Sequence, residues 1–289
     1  VLLKNDNALL PLDIKRLKSI AVIGPNADQV QFGDYSWSRS NKDGVTPLQG
    51  IRSWAGRHGV KVNHAVGCSL MSRDTTGIAA AVDAVRKSDI AVVFCGSASA
   101  SWARDYSGSN CGEEFDLSDL SLTGAQEGLI HRLYAVGRPI ILVLVTGKPF
   151  AISWEKKHRP AILVQWYGGE QSGNVIADIL FGKVNPSGHL PVSFPQSVGH
   201  LPVYYNHLPT DKGLYHQHGS YEHPGRDYVF SSPEPLWAFG HGLSYTSFSY
   251  SDLKTRVAED SIYVSFTLSN EGSYGGMAVP QLYVRDCVS

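Results

Sequence analysis

The side chains best suited to acid–base chemistry crowd into one stretch of the chain. Residues 96–122 hold Arg104, Asp105, Glu113, Glu114, Asp116 and Asp119, with Trp102 and Tyr106 among them. A connection this long without helical or strand periodicity is as a rule functional or disordered, and its aromatic content argues against disorder. An aromatic face beside carboxylates is what a sugar site needs: a flat apolar surface for the ring, and acids that protonate or hydrogen-bond its oxygens. The same residues also fit a solvated acidic loop leading into the next helix, since loop carboxylates are common. On residue types alone both readings stand.

Other chemistries have weaker signatures. Ile23-Gly-Pro-Asn-Ala-Asp28 follows a strand pattern but lacks the Gly-x-Gly-x-x-Gly spacing of a dinucleotide loop, and Pro25 removes a backbone donor. No Lys-Ser/Thr pair follows a glycine loop in Walker fashion. His216-Gln-His218, with His223 nearby, lacks the usual ligand spacing and any Cys or acidic partner set, so no metal or other cofactor is expected. Ser36, Ser97 and Ser99 have no Gly-x-Ser-x-Gly context. Trp166, Tyr167 and Trp237 read as core or interface anchors.

The elements that must position the acidic stretch are plain in the pattern. Short apolar, β-branched runs at 19–24, 60–65, 90–95, 140–145 and 161–165 read as strands, several apolar throughout, as in a parallel sheet covered on both faces. Helical patterns fall between them. Residues 75–87 place Ile78, Val82 and Val85 on one face, 49–57 fit a short helix, and 173–181 end at Gly182. The clearest helix spans 123–136, with a Thr123-x-x-Gln126 capping box, a stripe of Leu129, Ile130, Leu133 and Val136, and Gly137 as its stop. The fold class expected is α/β: an open, mostly parallel sheet with helices on both faces, in an α/β sandwich over residues 1–195. Residues 196–247, rich in Pro, His, Tyr and Gly, read as an irregular linker. Residues 248–289 read as the start of an antiparallel β module, with strands at 262–268 and 279–284 and too few strands for a complete sandwich. Both ends of the chain read as cut points.

Composition bounds the function classes. The 289 residues carry 25 Lys plus Arg against 26 Asp plus Glu, a formal net charge of -1, and neither sign forms a long block. That balance offers no electrostatic footprint for nucleic acid or an anionic membrane surface. The longest purely apolar run, 140–145, is far short of a bilayer span, and Val1-Leu-Leu meets Lys4-Asn5-Asp6 too soon for a signal peptide. Four cysteines, Cys68, Cys95, Cys111 and Cys287, are too few to staple a chain of this size. Cys95 fits a buried small hydrophobe, and Cys68 and Cys111 fit either a bridge or free thiols.

Five motifs in order extend over nearly the whole chain. Val1-Leu-Leu-Lys-Asn-Asp-Asn-Ala-Leu-Leu-Pro-Leu12, Ala21-Val-Ile-Gly-Pro-Asn-Ala-Asp28, Ala161-Ile-Leu-Val-Gln-Trp-Tyr-Gly-Gly-Glu170, Leu180-Phe-Gly-Lys-Val-Asn-Pro-Ser-Gly-His-Leu-Pro191 and Pro235-Leu-Trp-Ala-Phe-Gly-His-Gly-Leu-Ser-Tyr-Thr246 resemble the carboxyl-terminal half of glycoside hydrolase family 3. That family includes β-glucosidases and β-xylosidases. The last strands resemble the fibronectin type III-like domain that often follows.

The resemblance implies a retaining double displacement at terminal, non-reducing β-D-glycosyl residues of a β-linked oligosaccharide or aryl glycoside. A (β/α)8 barrel, which nothing in this chain resembles, would supply the nucleophilic Asp and act as the chain's partner. The α/β sandwich would supply the acid/base Glu from a loop. Gly112-Glu113-Glu114-Phe115-Asp116 matches the family's Gly-Glu-x-x-Asp segment and assigns the acid/base role to Glu113, with Glu114 where relatives often carry a small residue and Leu117 where many carry Arg. Asp116 fits a loop support. Trp102, Arg104 and Tyr106 are expected to line the leaving-group side. The family favours an extracellular or periplasmic setting. The alternative is a non-catalytic carbohydrate-binding or structural module.

Overall fold

The computed structural model of the protein describes residues 1–38, 40–99, 108–206, 220–224, 228 and 231–284. Its centre is a six-stranded sheet built from β1 (Leu2–Asn5), β2 (Ser19–Ile23), β3 (Lys61–Ala65), β4 (Ile90–Gly96), β5 (Ile140–Val145) and β6 (Ala161–Val164), in the order β1-β6-β5-β4-β2-β3. The last five are parallel, and β1 lies antiparallel on β6. Every residue of β4, β5 and β6 is buried, which is why these strands show no alternation: both faces are covered. Burying one large aliphatic side chain contributes about 1.5–3 kcal/mol, so this run of central strands dominates the apolar driving force.

Helices cover both faces. α1 (Pro47–Gly56) and α5 (Ser172–Leu180) share one core with Ile20, Val22, Val92, Phe94 and Val143, while α2 (Ile78–Arg86) and α3 (Gln126–Tyr134) share the other with Ile23, Val93, Leu142 and Leu144. α4 (Ser153–His158) is a short turn of helix between β5 and β6. α1 and α5 cross at a glycine contact, since a Cβ on Gly50 would fall 1.9 Å from the Gly173 carbonyl oxygen. The chain thus forms an α/β sandwich around a mostly parallel sheet.

Three local features depart from the sequence-based expectations. The Thr123-x-x-Gln126 box does not cap α3: Ala125 takes the N-cap place without a side-chain cap, and Gly124 just before it sits at φ +67°. Thr123 Oγ1 instead donates to the Leu70 carbonyl (2.7 Å) and Gln126 bonds both backbone groups of Gly96, because buried long-range partners outweigh a local cap. The complete capping box belongs to α1, where Thr46 and Gln49 satisfy each other's backbone N–H and Pro47 opens the helix. Edge strand β1 has only two consecutive leucines to announce it, and its partner lies far along the sequence.

After α5 the chain returns to the sheet. Leu190, Phe194, Leu236 and Trp237 enter the core on the α2/α3 face, and single bridges join Phe194 to Trp237 and Leu2 to Leu243. A separate two-stranded antiparallel sheet follows, β7 (Phe248–Ala258) and β8 (Ser261–Asn270). Residues 279–284 form no strand. The partner of β8 is its immediate neighbour β7, joined through a two-residue turn with Glu259 at φ +54°, and closing so short a loop costs far less chain entropy than recruiting a later segment. Cys68, Cys95 and Cys111 are buried free thiols. Among the described residues no helix is long and apolar enough to cross a membrane.

Candidate active site

The chain order of the parallel strands reverses between β2 and β4: β3 pairs on one side of β2, while β4, β5 and β6 follow on the other. Loops leaving the carboxyl ends of β2 and β4 therefore diverge and leave a crevice, the usual place for a ligand in an open α/β sheet. Asn26, fully buried just after β2, spans this point by donating from Nδ2 to the Ser97 carbonyl (3.1 Å). The long acidic stretch leaves β4 at the same point.

Side chains, with one isolated main-chain bridge between Ser99 and Cys111, stitch the base of that stretch. Asn110 Oδ1 accepts from Ala98 N (3.0 Å), Asn110 N donates to Ala98 O (3.1 Å), and Ser109 Oγ donates to Ser99 O (3.0 Å). Asn110 Nδ2 donates to Thr123 Oγ1 (2.9 Å), which ties the base to the entry of α3. Lys148, in the loop after β5, donates from Nζ to Asn110 O (2.7 Å), and burial holds its ammonium pKa below the ordinary value. Beneath lies the contact between Ser97 Oγ and Tyr167 OH (2.7 Å), with Ser97 Oγ also donating to Thr146 Oγ1 (3.2 Å). Burial pushes the Tyr167 phenol pKa up, so it stays a neutral hydrogen-bonding group. Four of the five parallel strands thus feed one rigid base.

On this base stands a turn at 112–115, closed by Phe115 N donating to Gly112 O (3.2 Å). Glu113 is exposed at its tip and is held by two consecutive residues of the loop after β2. Asp34 Oδ2 accepts from Glu113 N (2.8 Å), and the Tyr35 hydroxyl donates to Glu113 Oε2. Glu114 adopts φ +67°, the third position of the turn, where a type II turn asks for glycine. That geometry fits a position at which a small residue is expected. Asp116 is exposed, and Asp119, also exposed, accepts from Ser121 N (2.9 Å) and Oγ (2.8 Å), which lower its carboxyl pKa.

The structure therefore brings Glu113 together with Asp34 and Tyr35, two residues that the sequence did not single out. A usable signal was there: Gly33-Asp34-Tyr35-Ser36-Trp37 sets an acid just ahead of two aromatics after a parallel strand, with Tyr35 and Trp37 largely exposed. Without the strand order nothing links it to the β4 loop. Trp102, Arg104 and Tyr106 lie outside the described residues, as do Asp105, His216 and His218. Trp237 is core, Trp166 packs against that core at φ +56°, and no group of His, Cys, Asp or Glu able to hold a metal occurs among the described residues.

A doubly wound sheet that offers a carboxylate and aromatic rings at its switch point belongs to the class of α/β domains whose loops act on a ligand at the strands' carboxyl edge. The match to known proteins is specific. Residues 1–245 match the glycosyl hydrolase family 3 C-terminal domain, and the chain belongs to that family. It is similar to a beta-xylosidase of Formosa agariphila (39% identity over 99% of this chain and 38% of the relative) and to a periplasmic beta-glucosidase of Salmonella typhimurium (35% over 99% and 39%). Among solved structures it resembles a β-glucosidase from Erythrobacter marinus, with TM-score 0.77, 35% identity, and coverage of 94% of this chain and 37% of that one. The Listeria innocua β-glucosidase in complex with isofagomine gives TM-score 0.75, 31% identity, and coverage of 93% and 36%. The chain thus spans less than two fifths of the length of these relatives.

Proposed function

We propose that this chain is the α/β portion of a retaining β-glycosidase and that Glu113 is its general acid/base. The observation that carries the reading is the placement of Glu113: exposed on a turn above the switch point, with its backbone and carboxylate tied to a second loop, in a chain of a glycosidase family. The nucleophilic Asp comes from a (β/α)8 barrel outside this sequence. In the first step that carboxylate attacks the anomeric carbon while protonated Glu113 gives its proton to the leaving oxygen, and a glycosyl-enzyme forms. In the second step Glu113 takes a proton from water, which attacks the same carbon and releases the sugar. Trp37 supplies an exposed aromatic face on the loop that reaches Glu113, suited to a sugar ring or an aryl leaving group. Terminal β-glucosyl or β-xylosyl residues are the substrate class, by similarity to the named relatives.

The domain reading follows the same line. Residues 1–195 are the sandwich and 196–247 its connection. Residues 248–289 belong to a fibronectin type III-like module, a reading supported by the antiparallel β7–β8 pair.

The test is Glu113→Gln in the full-length enzyme. Hydrolysis of glycosides with poor leaving groups should fall by about 10²–10⁴-fold, while activated aryl glycosides keep most of their glycosylation rate and azide restores turnover. Equal loss on both substrate types, with no azide effect, would remove Glu113 from the acid/base role.

A further inference from the structure

We propose that Tyr35 and Asp34 form a two-point clamp that positions Glu113, so that Tyr35 is a positioning residue of the reaction and engages one carboxylate oxygen while leaving the other to exchange the proton. This rests on the acid/base reading of Glu113 and adds to it a device on the neighbouring loop.

A glutamate on an exposed turn has three free side-chain torsions, and fixing so long a side chain costs rotamer entropy. The bond from Phe115 N to Gly112 O closes the turn but orders only its backbone. Both missing constraints come from adjacent residues on one other loop. Asp34 Oδ2 takes the Glu113 N–H, which fixes where Cα and Cβ stand; Tyr35 OH takes Oε2, which fixes where the carboxylate points.

The clamp is useful only if its own loop is rigid, and that loop is pinned on both sides of Tyr35. Upstream, Val30 and Phe32 are buried, Val30 N donates to Asn41 Oδ1 (2.9 Å), and Gln31 O accepts from Gly169 N (3.0 Å). Downstream, Ser38 Oγ donates to Asp43, and Asn41 Nδ2 returns to Asp28 O (2.9 Å). Around Tyr35 itself, Ser36 N closes a turn on Gly33 O (3.1 Å).

A phenol suits this task better than a cation would. Its hydroxyl donates to an ionised carboxylate and, more weakly, to the carbonyl oxygen of a protonated one, so the contact can form in both proton states of the catalytic cycle. A lysine or arginine there would favour the charged form alone. The second oxygen of Glu113 is then the one that gives its proton to the leaving group and takes it back from water.

The experiment is a kinetic comparison in the full-length enzyme of Tyr35→Phe, Glu113→Ala and the double variant. Each is measured on a dinitrophenyl glycoside and on an alkyl glycoside of the same sugar. Tyr35→Phe should lower kcat/KM on the alkyl glycoside about tenfold or more, as expected when a catalytic group is misplaced, and change the dinitrophenyl glycoside by less than about twofold with KM unaltered. Its effect should vanish when Glu113 is already alanine. Asp34→Ala should reproduce the selectivity and Asp34→Asn, which keeps an acceptor, should rescue it. A Tyr35→Phe loss that is equal on both substrates and appears as raised KM would make Tyr35 a binding surface and overturn the clamp, as would a loss that persists in the Glu113→Ala background. If Glu113→Ala itself shows no leaving-group selectivity, the acid/base reading fails; if it does and Tyr35→Phe does not, only the clamp fails.

Discussion

Residues 97–125 and the β7–β8 hairpin are comparable in length and opposite in construction. The first has almost no regular structure among its described residues, yet its base is buried and its hydrogen bonds reach three other parts of the chain, at Asp34, Leu70 and Lys148. The second is a regular ladder with most of its apolar side chains in solvent: Leu253 is 71%, Val257 73% and Ile262 63% exposed. Regularity and burial are therefore separable. A ladder pairs the facing backbone groups of its two strands and leaves the outer ones to water, whereas an irregular buried segment must find a partner for every buried N–H and C=O, and so is held by specific side chains. An acid that must stand at one place is better mounted on the irregular, buried kind of support.

That contrast can be broken by substitution, beginning where the irregular segment leaves β4. A Cβ on Gly96, at φ +147°, would lie 2.0 Å from the Val145 carbonyl oxygen, so Gly96→Ala should destabilise the protein by more than about 3 kcal/mol in urea unfolding. A smaller loss would mean that β4 and β5 separate easily at this edge. Gln126→Ala orphans both backbone groups of Gly96 and should cost about 2–3 kcal/mol by the same measurement. A cost under about 1 kcal/mol would show that water takes over and that the loop base is not held by side chains. Glu114→Gly relieves a positive φ and should raise stability by about 0.5–1 kcal/mol, with kcat on an aryl glycoside in the full-length enzyme unchanged. Activity lost with Glu114→Gly would shift the catalytic assignment toward Glu114. The smallest effect is expected in the hairpin, where Val257→Thr should stay within about 0.5 kcal/mol of the parent. A loss above 1 kcal/mol there would sharpen the comparison differently, by revealing a layer that covers this face.

The parallel strands could be read in advance because burial on both faces leaves a signature in residue type alone: Ile140-Ile-Leu-Val-Leu-Val145 admits no other economical reading. β1 could not, since its four residues gain strand geometry only from β6. The capping pair at Thr123 and Gln126 was visible as residues and misassigned in task, because spacing reports a possible local bond and not the stronger distant ones. Half of the site was readable in the same sense. Glu113 stood out as an acid in a long loop, while Asp34 and Tyr35 stood out only once the strand order placed their loop across the crevice.

What the sequence determined by itself was the class of sheet, the family and the stretch richest in candidate carboxylates, because these depend on residue type and on order along the chain. What the tertiary structure decided was which loops meet. The reversal of strand order between β2 and β4 sets residues 34 and 35 against residue 113, and no local periodicity encodes that reversal. It is a property of how whole strand–helix units pack, so the position of the carboxylate is fixed by partners nearly eighty residues away.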